Sequence, residues 1–134
     1  KINMKTKLDK ILAEISAGEL IDKISILEIK KAEISNKDKL TEIEKELLSL
    51  NKTKKKFIPD ESQILKFQID LKNINLKLWK IEDGKRSAEK NNDFGEKFIE
   101  LARNVYKIND ERARIKLAIN NALGSNIKEV KSYE

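Results

Sequence analysis

All four arginines of the chain lie between positions 86 and 114, whereas its 25 lysines are spread over the whole length. In a chain that otherwise uses lysine, an arginine indicates a place where a planar, bidentate donor is needed for a carboxylate or a phosphate. Arg112 is the most informative, because the apolar spacing around it assigns it to a seam between helices. A buried guanidinium needs a carboxylate partner, and we expect Glu28 or Glu82 to supply it. The pair would either fix the helix register or hold an anionic ligand in a polar cavity.

Residue types that are absent exclude several kinds of chemistry. The chain has neither cysteine nor histidine, which excludes disulfides, thiolate nucleophiles and Ser-His or Cys-His triads. Glu19 and Asp22 have the E-x-x-D spacing with which all-helical pyrophosphohydrolases hold Mg²⁺, but the second motif of such sites, E-x-x-E, does not occur in the sequence. The four glycines are isolated, so there is no phosphate-binding loop. We therefore predict no metal and no cofactor.

The charge balance limits the classes of partner. The net charge is +6, with charged residues making up 39% of the chain. The densest basic run, residues 52–56, falls between predicted helices, and we expect a solvated loop there. Nucleic-acid binders usually concentrate basic residues and aromatics on one face, so nucleic acid is not favoured as a partner. No apolar run approaches the roughly 20 residues of a membrane span, and none follows the basic N-terminus as in a signal peptide. We expect a cytoplasmic protein.

Apolar spacing predicts four helices, of which the first two are the shorter. The first begins at Ser16, which has capping-box spacing to Glu19, and ends near residues 35–36. The second runs from about 38 to 52, with the 3-4-3 spacing of a coiled-coil seam.

The third and fourth predicted helices are long, about 28 residues each, which corresponds to roughly 40 Å. The third begins at Asp60 as a cap and extends to about residue 90, although Gly84 weakens it locally. The fourth begins at Asp93 as a cap and ends at Leu123, because Gly124 suits a left-handed helix end.

Folding the third and fourth helices back on each other places residues whose numbers sum to about 185 opposite one another. Trp79 then lies opposite Tyr106, and Asp83 lies near Arg103. The predicted fold class is all-α, an antiparallel four-helix arrangement built on this hairpin. A long, thin hairpin leaves an apolar stripe uncovered, so we expect a homodimer.

The ends of the chain are predicted separately. Residues 1–10 form a polar extension, and residues 11–134 form a single helical domain. Residues 11–15 alternate as in a strand. Pairing them with the partly alternating segment 126–134 would give a short two-stranded ribbon, as an option beside the helices.

Long stretches of the sequence resemble a known family. They are SAGELIDKISILEIK at 16–30, LWKIED at 78–83, the stretch 98–116 with FIELAR, VY, NDERA and IK, and EVKSY at 129–133. These blocks are similar to those of a bacterial family of small helical proteins described as a domain of unknown function. The resemblance implies no settled activity. It implies a bacterial origin and an association with genes for surface polysaccharides or nucleotide sugars.

The positions that carry this resemblance coincide with the polar cluster derived from the helix spacing. The candidate ligand-binding residues are Glu28, Trp79, Glu82, Asp83, Arg103, Tyr106, Asn109, Asp110, Arg112 and Lys116.

Two functions follow from this cluster. In the first, the protein is a binding or scaffold module without catalysis, an accessory to surface-glycan or nucleotide-sugar metabolism, and the cluster fixes the fold or binds a protein partner. In the alternative, the cluster binds an anionic small molecule, and catalysis is left open. Arg103 and Arg112 would then hold the anion. Glu28 or Glu82 would act as acid or base, and Trp79 and Tyr106 would form a wall.

Overall fold

A computed structural model of the protein describes residues 7–131 and contains four helices. They are α1 (Ala17–Glu33), α2 (Lys37–Phe57), α3 (Leu65–Lys90) and α4 (Glu96–Leu123). Helices α3 and α4 pack against each other, and α1 packs against all three of the other helices. The predicted all-α class is confirmed. Because α1 contacts every other helix, its side chains are the natural place to look for a shared core and a shared site.

The hydrophobic core forms where apolar stripes of the four helices meet. Helix α1 contributes residues to it on more than one side, as expected for a helix surrounded by three neighbours. The buried apolar residues of this core are Leu20, Ile21, Ile24 and Leu27 of α1, Ile43 and Leu47 of α2, Leu71 of α3 and Ile119 of α4, together with Ile58 and Ile64 between α2 and α3. Within residues 7–131, no helix has the length and apolar character that crossing a membrane requires.

The segments that flank the helices are irregular. The described chain contains no strand, so the predicted ribbon between residues 11–15 and 126–134 is wrong as far as residue 131. The two segments are joined by a side-chain contact instead, in which Asn126 Nδ2 donates to Glu14 Oε2 at 2.7 Å. Residues 1–6 of the predicted extension and 132–134 of the predicted second strand lie outside the described residues.

Two helix ends agree with their sequence signals. Ser16 is the N-cap of α1, and its Oγ accepts a hydrogen bond from the Glu19 amide at 3.0 Å. Gly124 ends α4 with a φ of +63°, the left-handed conformation that glycine adopts without a steric penalty.

Helix α2 extends five residues beyond its predicted end to Phe57, so the basic run is helical rather than a loop. Lysine is a good helix former, and the helix stops only at Ile58, whose position before Pro59 disfavours helical geometry.

The predicted caps of α3 and α4 make turns instead. Asp60 Oδ1 accepts from the Ser62 amide at 2.9 Å, and α3 begins only at Leu65. Asp93 Oδ1 accepts from the Gly95 amide at 3.3 Å, and α4 begins at Glu96. In both cases the aspartate bonds two residues ahead in an Asx-turn, which competes with capping a helix directly.

Helix α3 continues without a break through Gly84. A Cβ atom at this position would lie 3.2 Å from Leu101 Cδ1 of α4, so the glycine gives room for a leucine of the facing helix. The two residue numbers sum to 185, which agrees with the register predicted for the hairpin.

Candidate functional site

The centre of the candidate site is an ion pair between α1 and α4. The Asp22 side chain is buried, and both of its oxygens bind Arg112: Nε donates to Oδ1 at 3.0 Å and Nη2 to Oδ2 at 2.5 Å. This is the bidentate geometry for which arginine is suited. The predicted need of Arg112 for a carboxylate is confirmed.

Neither of the two carboxylates expected to pair with Arg112 does so. Glu28 pairs with Lys72 of α3 at 3.3 Å, and its side chain is 42% exposed. Glu82 pairs with Lys85 at 3.4 Å on its own helix. Asp22 lies six residues before Glu28 on α1, and its side chain is 1% exposed. The sequence signal for Asp22 was its position between the apolar residues Ile21 and Ile24 of α1, where a buried carboxylate requires a cation.

Asn75 of α3 completes the hydrogen bonding of Asp22 from a third helix. Its Nδ2 donates to Asp22 Oδ1 at 2.8 Å and to Ser25 Oγ at 2.7 Å. The Ser25 hydroxyl in turn donates to the Asp22 backbone carbonyl at 2.8 Å. These three residues and Arg112, which we call the Asp22 network, join α1, α3 and α4. Every buried side-chain nitrogen and oxygen of the described chain has a hydrogen-bond partner, so burial of the network leaves no donor or acceptor unsatisfied.

A second ion pair lies one turn away. Lys116 Nζ contacts Glu19 Oε2 at 2.5 Å and stands 4.0 Å from Asp22 Oδ2. Both carboxylates of the E-x-x-D motif are therefore bound to cations of α4. The described residues hold no group of three or more acidic side chains that could bind a metal. The hydrogen bonds to Asp22 raise the pKa of Arg112 above its ordinary value, against the opposing effect of burial. The guanidinium therefore stays charged.

A cleft of about 330 Å³ opens beside Arg112. We call it the Trp79 cleft. Residues of α1, α3 and α4 line it, and five of the ten candidate residues are among them. Its lining consists of Ile26, Ile29, Lys30, Asn75, Leu78, Trp79, Glu82, Asp83, Arg86, Val105, Asn109 and Arg112.

The polar end of the Trp79 cleft contains several charges, some of which cancel. Arg112 is paired with Asp22 and donates from Nη1 to Asn109 Oδ1 at 3.4 Å, which orients both side chains. Glu82 is offset by Lys85 on its own helix. Among the ion pairs of the described residues, none includes Lys30, Arg86 or Asp83, each of which lines the cleft. Two cations against one anion leave the cleft with a positive excess.

The structure places the other five candidate residues elsewhere. Arg103 is exposed, and Tyr106 is 59% exposed. Val105, one residue earlier on α4, lines the cleft together with Trp79 in place of Tyr106, so the predicted aromatic wall has one aromatic member. Asp110 and Lys116 line a different cleft, and Glu28 lines neither. Lys30 and Arg86 of the Trp79 cleft were not selected from the sequence, although Lys30 is one turn from Ile26 and so shares its face of α1.

The N-terminus of α1 is covered by the end of α4 and the C-terminal tail, residues 125–131. The Gly18 amide donates to Asn120 Oδ1 at 2.6 Å, and the Ala17 amide donates to Ser125 Oγ at 3.0 Å. The Ser16 hydroxyl donates to a carboxylate oxygen of Glu129. These bonds satisfy amide groups that a helix N-terminus otherwise leaves free, and they fix the position of α1 along α4.

The chain matches the family of unknown function DUF6165 over residues 11–134. It belongs to this family. The match includes all four helices, the Asp22 network and the Trp79 cleft. No curated protein and no solved structure shows significant similarity to the chain.

Proposed function

We propose that the protein is a non-catalytic binding module, and that its Trp79 cleft binds a small molecule with an anionic group and an apolar body. The observation that carries this proposal is the position of Arg112. Asp22 binds the guanidinium through Nε and Nη2, Asn109 accepts from Nη1, and the side chain held in this way lines the cleft. A donor held in place before the ligand arrives loses little freedom on binding.

The chemistry of the lining favours this class of ligand. Lys30 and Arg86 add positive charge without an ion pair of their own among the described residues, so an anionic group gains attraction there. Trp79 and Leu78 supply an apolar surface, which suits the ring of a sugar or a base. A few polar groups at one end of an apolar cleft are typical of small-molecule sites.

The alternative, in which the site catalyses a reaction, requires an acid or a base at the cleft. Glu28, the first candidate for that role, lies outside the cleft, and Glu82 is paired with Lys85. Asp22 is the carboxylate that binds Arg112, and both of its oxygens already accept hydrogen bonds from Arg112 or Asn75. The two predicted acid-base residues are therefore outside the cleft or paired, which favours binding over catalysis, and Asp83 is the one carboxylate of the lining that takes part in no ion pair among the described residues.

Location and ligand class complete the proposal. We propose a bacterial, cytoplasmic protein with one helical domain over residues 11–134. The family resemblance implies an association with surface-glycan or nucleotide-sugar metabolism, so nucleotide sugars and sugar phosphates are the first compounds to test.

The experiment is a thermal-shift series on the full chain with nucleotide sugars, sugar phosphates, nucleotides and dicarboxylates. A ligand at 100 times its Kd adds about 2.7 kcal/mol of stability, or roughly 5–10 °C at this chain length. We expect at least one class to stabilise the wild type, and Arg86→Gln to reduce the shift.

Arg103→Gln is the matched control, because Arg103 is an exposed arginine that lies outside the cleft. It should leave the shift unchanged. A series in which no compound stabilises the protein, or in which both variants behave alike, contradicts the proposal.

A further inference from the structure

The segment before α1 carries an apolar face that the described chain does not cover. Residues 7–15, which we call the N-terminal arm, have no regular secondary structure. Leu8, Ile11 and Leu12 are 73%, 83% and 88% exposed, and Ile15 is 39% exposed. Their spacing of i, i+3, i+4 and i+7 would place all four on one side of a helix, which is the pattern of segments that fold into an apolar groove.

A second cleft with an apolar lining lies close to the point where the arm joins the fold. It has a volume of about 650 Å³ and opens between α4 and the C-terminal tail. We call it the tail cleft. Its apolar lining comes from Ala113, Leu117 and Val130, of which Leu117 is 44% and Val130 is 89% exposed. Arg114 and Lys128 also line the cleft, and long basic side chains add aliphatic surface when their charge stays in water.

The arm is attached to the fold next to the tail cleft. Glu14 accepts a hydrogen bond from Asn126 of the tail, and the Ser16 hydroxyl donates to Glu129, which lines the cleft. These bonds fix the attachment point of the arm. The exposure of Leu8, Ile11 and Leu12 nevertheless shows that the arm does not enter the cleft of its own chain.

We propose that the arm occupies the tail cleft of a second copy, so that two chains form a homodimer by exchanging arms. Reciprocal exchange about a two-fold axis fills both clefts and covers both arms, and it closes the assembly. The arm has two lysines and two acidic residues, so its net charge of zero meets no repulsion from the basic rim of the cleft. The proposal is independent of the function proposed for the Trp79 cleft.

The first test is sedimentation velocity on the full chain, over roughly 1–100 μM, a range that detects a micromolar dimer. We expect a dimer that Ile11→Asp/Leu12→Asp weakens by at least about 100-fold, because two apolar side chains are lost from each arm. Both residues are exposed in the single chain, so the far-ultraviolet circular dichroism should not change. Leu48→Asp, at an exposed leucine of α2, is the matched control and should still dimerise.

The second test separates exchange from docking within one chain. The protein has no cysteine, so Leu12→Cys/Leu117→Cys introduces the only two thiols. A short bis-maleimide linker should then join chains into covalent dimers, visible on a denaturing gel. A wild-type monomer over the whole concentration range, a dimer that the arm variants leave intact, or linkage confined within single chains overturns the proposal.

Discussion

Removing Arg112 would leave the Asp22 carboxylate charged in a buried position with incomplete compensation. In Arg112→Ala, Asp22 keeps the Asn75 amide at 2.8 Å and Lys116 at 4.0 Å, but it loses both guanidinium bonds. Removing one partner of a buried ion pair costs about 3–5 kcal/mol. Because the amide remains, we expect a loss near the lower end, about 3 kcal/mol, from a total that is commonly about 5–15 kcal/mol.

Replacing the other partner, Asp22, should cost less stability, because the arginine that remains can be hydrated. Asp22→Ala leaves Arg112, whose side chain is 28% exposed and can bind water. It also leaves the Asn75 amide with Ser25 as its acceptor. We expect a loss of about 2 kcal/mol. The double variant should be no less stable than Arg112→Ala alone, since no unpaired charge remains, which corresponds to a coupling of about 2 kcal/mol.

The assay is urea unfolding at neutral pH, followed by far-ultraviolet circular dichroism, which reports directly on an all-helical protein. Arg103→Ala is the control, an exposed arginine on the same helix, and should change the free energy of unfolding by less than about 0.5 kcal/mol. A free energy of unfolding for Arg112→Ala within about 1 kcal/mol of the wild type, or two single effects that add without coupling, would contradict the role of this ion pair.

Three further predictions follow from other contacts. Gly18→Ala should destabilise the protein by about 1–3 kcal/mol, because the new Cβ would lie 2.4 Å from a backbone oxygen of α4, whereas Gly95→Ala, with nothing nearer than 3.5 Å, should be tolerated in the same thermal unfolding assay. Ser16→Ala should cost about 1 kcal/mol through the lost cap, measured by urea unfolding; no change would contradict the capping role. The hydrogen bond from Gln68 lowers the pKa of Glu61 below its ordinary value of 4.5. Its stabilising contribution is therefore present above pH 4.5 and is lost as the pH falls through the lowered value. At neutral pH the free energy of unfolding of the wild type should exceed that of Glu61→Gln, by less than about 1 kcal/mol. A difference that stays the same when the pH falls below the lowered pKa would show that the charge is not responsible.

The features of the fold that were predictable from sequence depend on local signals. The Ser16 cap and the Gly124 helix end need only the residues beside them. The hairpin register was also predictable, because a short turn between two long helices leaves little freedom, and Gly84 leaves room for Leu101 of the facing helix as that register requires. The caps at Asp60 and Asp93 failed, because an Asx-turn and a helix cap use the same residue types at nearly the same spacing.

The candidate site was predictable only in part, because it depends on how three helices are rotated about their axes. Sequence spacing indicated that Arg112 needed a carboxylate, but Glu28 and Asp22 differ by six residues, and only the packing of α1 on α4 decides between them. The same rotation places Val105 rather than Tyr106 in the lining of the Trp79 cleft. Arg86 was indicated only as one of four arginines, and Lys30 was not selected in a lysine-rich chain, because a charged residue beside a cleft and one on a solvated face look alike in sequence.

The central claim, that the Trp79 cleft binds an anionic small molecule, can be measured without a label, because Trp79 is the only tryptophan of the chain. The measurement is its fluorescence during titration with a nucleotide sugar, a sugar phosphate, a nucleotide and a dicarboxylate in turn. We expect a saturable change with at least one of them, weakened about tenfold by Arg86→Gln through the lost charge-assisted contact and unchanged by Arg103→Gln. Emission that stays constant with every probe, in a protein that is folded by circular dichroism, would contradict the claim.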